Sequence, residues 1–162
     1  MNEIDTLWLA RALHVVGVVL WIGGVAFVTT TLLPAIRSGF SPEQQLAEFE
    51  RYERSFGRQA RWTTQLVGAS GLYLTWKMEL WFRFTTPGYG WMHAMVAVYG
   101  IFTFLLFVAE PLFFHKLLRR LAARHQQLPM TVLTRIHWLL LTASLLTVAA
   151  AMAGAHGWNY SS

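Results

Sequence analysis

Apolar residues dominate four stretches of this chain, with polar and charged residues gathered between them. The stretches run from Ala12 to Leu33, Trp62 to Phe82, Trp91 to Phe114 and Met130 to Ala153. Each is close to the ~20 residues that a helix needs to cross a bilayer. The pattern predicts one all-α domain over residues 1–162, an integral membrane four-helix bundle with polar loops at 37–61 and 115–129. The first stretch reads as a retained span. Its flank is acidic (Glu3, Asp5), its apolar run is long, and no small-residue cleavage site follows.

The 37–61 segment carries helical signals of its own. Ser41-Pro42-Glu43-Gln44 has a capping-box pattern with proline at the first helical position. Leu46, Phe49 and Phe56 recur near helical spacing, and Glu50 and Arg54 stand at i,i+4. The expectation is a helical extension, lying at the membrane surface or continuing the second span. A solvated charged connector is the plainer alternative.

Composition narrows the class. Charged residues are 13% of the 162, about half the usual share of roughly 25%. With mean hydropathy +0.40 and 8 Trp, 5 Tyr and 11 Phe, the chain is neither disordered nor an ordinary soluble enzyme. Cysteine is absent, which excludes disulfides, iron–sulfur clusters, thiolate zinc and cysteine nucleophiles. The net charge of +5 is explained by where the basic residues lie. Arg37, Arg51, Arg54, Arg58 and Arg61 fall in one polar segment; Lys116, Arg119, Arg120, Arg124 and Arg135 fall in the other. Only Arg11, Lys77 and Arg83 lie on the opposite side. The positive-inside rule therefore predicts cytoplasmic loops and external termini, with no nucleic-acid partner. Tryptophans near the span ends, such as Trp8, Trp62 and Trp91, match an interfacial aromatic belt.

Spans one and three share a pattern: His14 then Pro34 and Arg37, against His93 then Pro111 and Lys116. Parallel repeats of spans 1–2 and 3–4 would set the two histidines facing each other at one depth. Two histidines at matched depth are the arrangement that haem iron takes as axial ligands between bundle helices. Small residues near them would leave room for the ring: Gly17 with Trp21 on span one, Gly68 and Gly71 on span two, Ala97 and Gly100 on span three. Arg11 is the candidate partner for a propionate. The plainer account is close helix packing at the small residues, with each histidine hydrogen-bonded to a neighbour.

His137 is an alternative ligand, and with His115 it would allow a second haem. Glu110 is a candidate proton relay or quinol contact, or an interfacial carboxylate paired with Arg119 or Arg120. Phosphate-loop, His-Glu-x-x-His and Gly-x-Ser-x-Gly motifs are absent from the sequence. Met78, Met92, Met95 and Met130 are scattered, as packing residues are.

The stretch from Ala12 to Gly24, ALHVVGVVLWIGG, resembles the first span of HemJ, the four-helix bacterial membrane protoporphyrinogen oxidase, and of CopD-type copper-resistance domains. Gly90-Trp91-Met92-His93 is similar to the Gly-Trp-x-His that opens the third HemJ span, and Arg135-Ile136 to the Arg-Ile of its fourth. The resemblance implies an inner-membrane protein with haem b held by His14, and with His93 as ligand or active-site residue. Two positions depart from it. Ala94-Met95 stands where HemJ has x-Lys, and His137 stands where it has Asn. The expected function is therefore haem-based redox work between a quinol and a periplasmic-side partner protein, in a monomer or an oligomer. The alternatives are a HemJ-like oxidase, and a cofactor-free or copper-handling membrane subunit.

Overall fold

A computed structural model describes residues 2–158; Met1 and residues 159–162, the extreme ends that the charge bias assigns to the outside, lie outside the described residues. The described chain is all helical, with no strand. Four long helices form an antiparallel succession: α1 (Glu3–Gly39), α2 (Pro42–Lys77), α3 (Gly90–Arg124) and α4 (Leu128–Ala155). Three of them, α1, α3 and α4, are long and apolar enough to cross a membrane. At most 22% of the apolar window in each is buried within the chain, so most of that apolar surface faces outward. Val15, Val19, Leu139 and Leu146 are among these exposed side chains. Outward apolar surface on this scale suits lipid as the solvent. Helix α2 is less apolar, because Thr63, Thr64, Gln65 and Ser70 interrupt it.

The 37–61 segment takes the form of a helix that continues into the second apolar stretch. Phe40 and Ser41 link α1 to α2, and Gln44 completes the Ser41 capping box. The buried Gln45 side chain donates to the carbonyls of Arg37 (3.2 Å) and Phe40 (3.1 Å), satisfying acceptors left free where α1 ends. Helix α2 stops at Lys77, short of Phe82, and Glu79 then adopts a left-handed conformation (φ 52°). A short 3-10 helix, Leu80–Phe84, leads towards α3. Helix α3 runs past Phe114 to Arg124, into the segment expected to be a loop.

Helices α1 and α3 each contain a π-helical stretch beside a proline: Val28–Leu32 just before Pro34, and Leu105–Phe114 around Pro111. Proline has no N–H to donate, so the helical ladder must be rerouted near it. In the i→i−5 pattern of the second stretch, the carbonyl of Leu106 would pair with the nitrogen of residue 111, which carries no hydrogen. Arg61 of α2 supplies the missing donor, its Nε–H bonding the Leu106 oxygen at 3.2 Å.

Two apolar clusters hold the bundle together. The larger joins all four helices, with Leu33, Ile36, Phe49, Leu118, Met130 and Leu133 at its centre. The smaller is built on Trp21, Val67 and Phe102, with the Trp21 and Phe102 rings edge to face at 4.8 Å. Close approach at α1–α2 depends on Gly17, where a Cβ would stand 2.8 Å from Val67 Cγ2.

Candidate functional site

A cavity of about 150 Å³ lies between the two clusters, walled by all four helices. Its floor is Trp21 and Phe102, and most of its wall is aliphatic or aromatic. Four polar side chains interrupt the apolar lining: Glu53 and Gln59 of α2, Glu110 of α3 and His137 of α4. Trp21 is buried, and its indole N–H has no hydrogen-bond partner. His137 Nδ1 lies 2.9 Å from the Leu133 carbonyl, which can only accept, so Nδ1 carries the hydrogen. The other ring nitrogen, Nε2, is left as an acceptor with no bond among the described residues. Phe49 packs edge-on against this ring and steadies it.

Where Arg61 of α2 meets Glu110 of α3, the cavity borders a cluster of charges. Arg61 pairs with Glu110 at close range while its Nε holds the Leu106 carbonyl. The expected partners of Glu110, Arg119 and Arg120, are not the ones found: Arg119 bonds Glu50 instead, at 3.0 Å. Glu50 thereby reaches across to α3 and makes no pair with Arg54. His115 stands between two acids, with Nδ1 3.7 Å from Glu50 Oε1 and Nε2 3.9 Å from Glu53 Oε2. Glu53, on the N-terminal extension of α2 that precedes its apolar stretch, has its carboxyl pushed up to about 7. Burial is the main cause; Glu110 and Glu50 add repulsion, and Arg61 opposes it. Folding therefore favours the protonated acid. Stability from this group is full below the ordinary carboxylate range and is lost as pH rises from about 4.5 to about 7. Glu53, Glu110 and His115 bring ligand atoms within 4.8 Å of one another, but the Arg61 cation already balances one of the two acids.

The residues singled out by sequence fall in several places. Trp21 lines the cavity, and so does His137. His14 sits higher on α1, where its Nδ1 is 3.1 Å from both the Val67 carbonyl and Ser70 Oγ. Its ring fills the space left by Gly71, whose Cβ would come within 3.0 Å of it. The space beside Gly68 is filled by the Tyr99 ring, and Gly17 serves the α1–α2 approach. His93 is exposed, its ring edge against Phe84 at 5.5 Å, and Ala97 and Gly100 share that outward face. Arg11 lies over the Trp8 ring and reaches Met78 Sδ at 3.6 Å.

The structure thus does not bring His14 and His93 together. His93 is exposed on α3 while His14 bonds α2; side chains fill the space beside Gly68 and Gly71, and the space beside Gly100 is open. The physical reason is that α1 packs on α2, where His14 hydrogen-bonds, while the bundle side of α3 is taken by Met92, Tyr99 and Phe102.

Sequence reasoning missed Glu53 and Arg61. A signal for Glu53 was present, since it stands on the helical face of Phe49, Phe56 and Gly57, an acid on an otherwise apolar stripe. No sequence signal linked Arg61 to Leu106. Comparisons with protein-family models, with curated proteins and with solved structures return no match for this chain.

Proposed function

We propose that this chain is a four-span membrane protein, with external termini and a cytoplasmic charge cluster, that binds the head group of a lipid-soluble quinol or quinone. The observation that carries this reading is the 150 Å³ apolar cavity with His137 and the buried Trp21 in its wall. That volume is of the size that holds one six-membered ring. A quinol hydroxyl would donate to His137 Nε2, a small shift of the Trp21 indole would bring its N–H to a quinone carbonyl, and apolar walls would take the ring faces. An isoprenoid tail would leave through lipid, the solvent that the outward apolar surface suits. The basic segments at 37–61 and 116–135 support the orientation.

Decylubiquinone added to the detergent-purified protein should raise its unfolding temperature, with about 2.7 kcal/mol of stabilisation at a hundredfold excess over Kd. Trp21→Phe keeps the ring and removes the donor, and should weaken binding by up to roughly tenfold. Leu140→Trp, which fills the cavity, should abolish the shift. An unchanged shift in Leu140→Trp would place the ligand elsewhere.

A second reading keeps haem b, with His14 as its ligand. What favours it is the His14 tautomer. The Val67 carbonyl requires hydrogen on Nδ1, which leaves Nε2 free to donate to iron, as in other metal-ligating histidines. This reading places no second ligand in the chain. Its test is the absorption spectrum of the reduced protein: haem bands that vanish in His14→Ala support it, and a spectrum without them excludes it.

A further inference from the structure

A line of titratable groups connects the cavity to cytoplasmic water. Glu53 lines the cavity and has only 16% of its side chain exposed. His115 is next, its Nε2 3.9 Å from Glu53 and its Nδ1 3.7 Å from Glu50. Glu50 then meets Arg119, whose side chain is 69% exposed. We propose that Glu53, His115 and Glu50 form a proton-exchange path between the cavity and the cytoplasmic surface, with Glu53 as the group that holds the proton at the cavity. This assignment is independent of what occupies the cavity.

The geometry suits the two nitrogens of one imidazole. A proton arriving at Glu50 from water passes to Nδ1 as Nε2–H releases one to the Glu53 carboxylate. His115 is left as the other neutral tautomer, and rotation of the ring restores it. One proton enters, one leaves, and no net charge remains on the ring. Steps of 3.7 and 3.9 Å are longer than a direct hydrogen bond, and are spanned by a small side-chain movement or by one water.

The surroundings of Glu53 determine its behaviour. Its own helix presents Glu50 and Arg61; α3 presents Glu110 and His115; α4 presents His137 across the cavity. Helix α1 contributes only apolar residues to the cavity wall, Leu20, Trp21 and Val28 among them. An acid held among apolar walls and two other acids favours its neutral form, whereas Glu110 beside it is paired with Arg61. The cluster therefore has one mobile proton and one fixed ion pair. The π-helical turn around Pro111 lies next to it, as such turns commonly do at functional sites.

Infrared spectroscopy of the full chain in liposomes reads this directly through the stretching band of a protonated carboxyl group. The wild type should show a band that titrates with a midpoint of about 7. Glu53→Gln, which preserves shape, should remove it. Glu110→Gln should move the midpoint down, because a repelling neighbour is lost and Arg61 is freed. His115→Leu should leave the band in place but slow its response to a pH jump by roughly tenfold or more. A band that survives in Glu53→Gln, or a wild type with no carboxyl titrating above the ordinary range, overturns the assignment of Glu53. An unchanged response rate in His115→Leu overturns the path.

Discussion

Replacing Arg61 with Met is expected to cost roughly 3 kcal/mol of fold stability, the low end for breaking a buried ion pair because Arg61 is itself one-third exposed. Two losses combine. Glu110, with 15% of its side chain exposed, would be left as an uncompensated carboxylate facing the cavity. The Leu106 carbonyl would lose the donor that stands in for the hydrogen that Pro111 lacks. Denaturant titration of the protein in mixed micelles measures the sum. The double variant Arg61→Met with Glu110→Gln should recover the charge part and leave the carbonyl part, so its cost should fall to about 1 kcal/mol. A fully additive double variant would show that the pair contributes nothing beyond its separate members.

Gly68→Ala is expected to destabilise the bundle by about 1–3 kcal/mol through overpacking. A methyl at this position would overlap the Tyr99 ring, which comes across from α3. The hydroxyl end of a tyrosine cannot bend away from the ring that carries it, so either the rotamer changes or α2 and α3 separate. Combining Gly68→Ala with Tyr99→Ala should therefore cost less than the two singles added together, a coupling of about 1 kcal/mol or more. The same variant weighs the two meanings given to the small residues of α2. If they house a prosthetic group, Gly68→Ala should change its bands with little change in stability. If they receive Tyr99 and His14, stability changes and Tyr99→Ala relieves it. The Gly154 position repeats this logic, with the buried Trp91 indole lying where a methyl would go.

The helical class and the lipid-facing character were legible from the sequence because both depend on local composition. Runs of apolar residues and the near absence of charge within them determine what a segment can bury, whatever its neighbours. The capping box at Ser41 was legible for the same reason, being a matter of four adjacent residues. Which face of each helix turns inward was not. Residues 90–114 of α3 are apolar all round, so their periodicity offers no choice between Met92–Tyr99–Phe102 and His93–Ala97–Gly100. Packing settled that choice, and His93 went outside.

The candidate site divides in the same way. Trp21 was visible as a neighbour on the face of His14, and His137 as an ionisable group inside an apolar stretch, both properties of sequence alone. Their meeting across one cavity, and the placing of Glu53 beside them, depends on how α1, α2 and α4 cross, which involves residues more than a hundred positions apart. The Arg61–Glu110 pair shows the limit most clearly. Sequence offered Glu110 its nearest basic neighbours, Arg119 and Arg120, since local charges are all that a linear reading can pair. The tertiary structure chose Arg61 instead, because Pro111 leaves a carbonyl without a donor and a guanidinium has hydrogens for both that oxygen and the acid beside it. Local chemistry determined what the chain is made to dissolve in; the crossing of helices decided which of its polar groups meet.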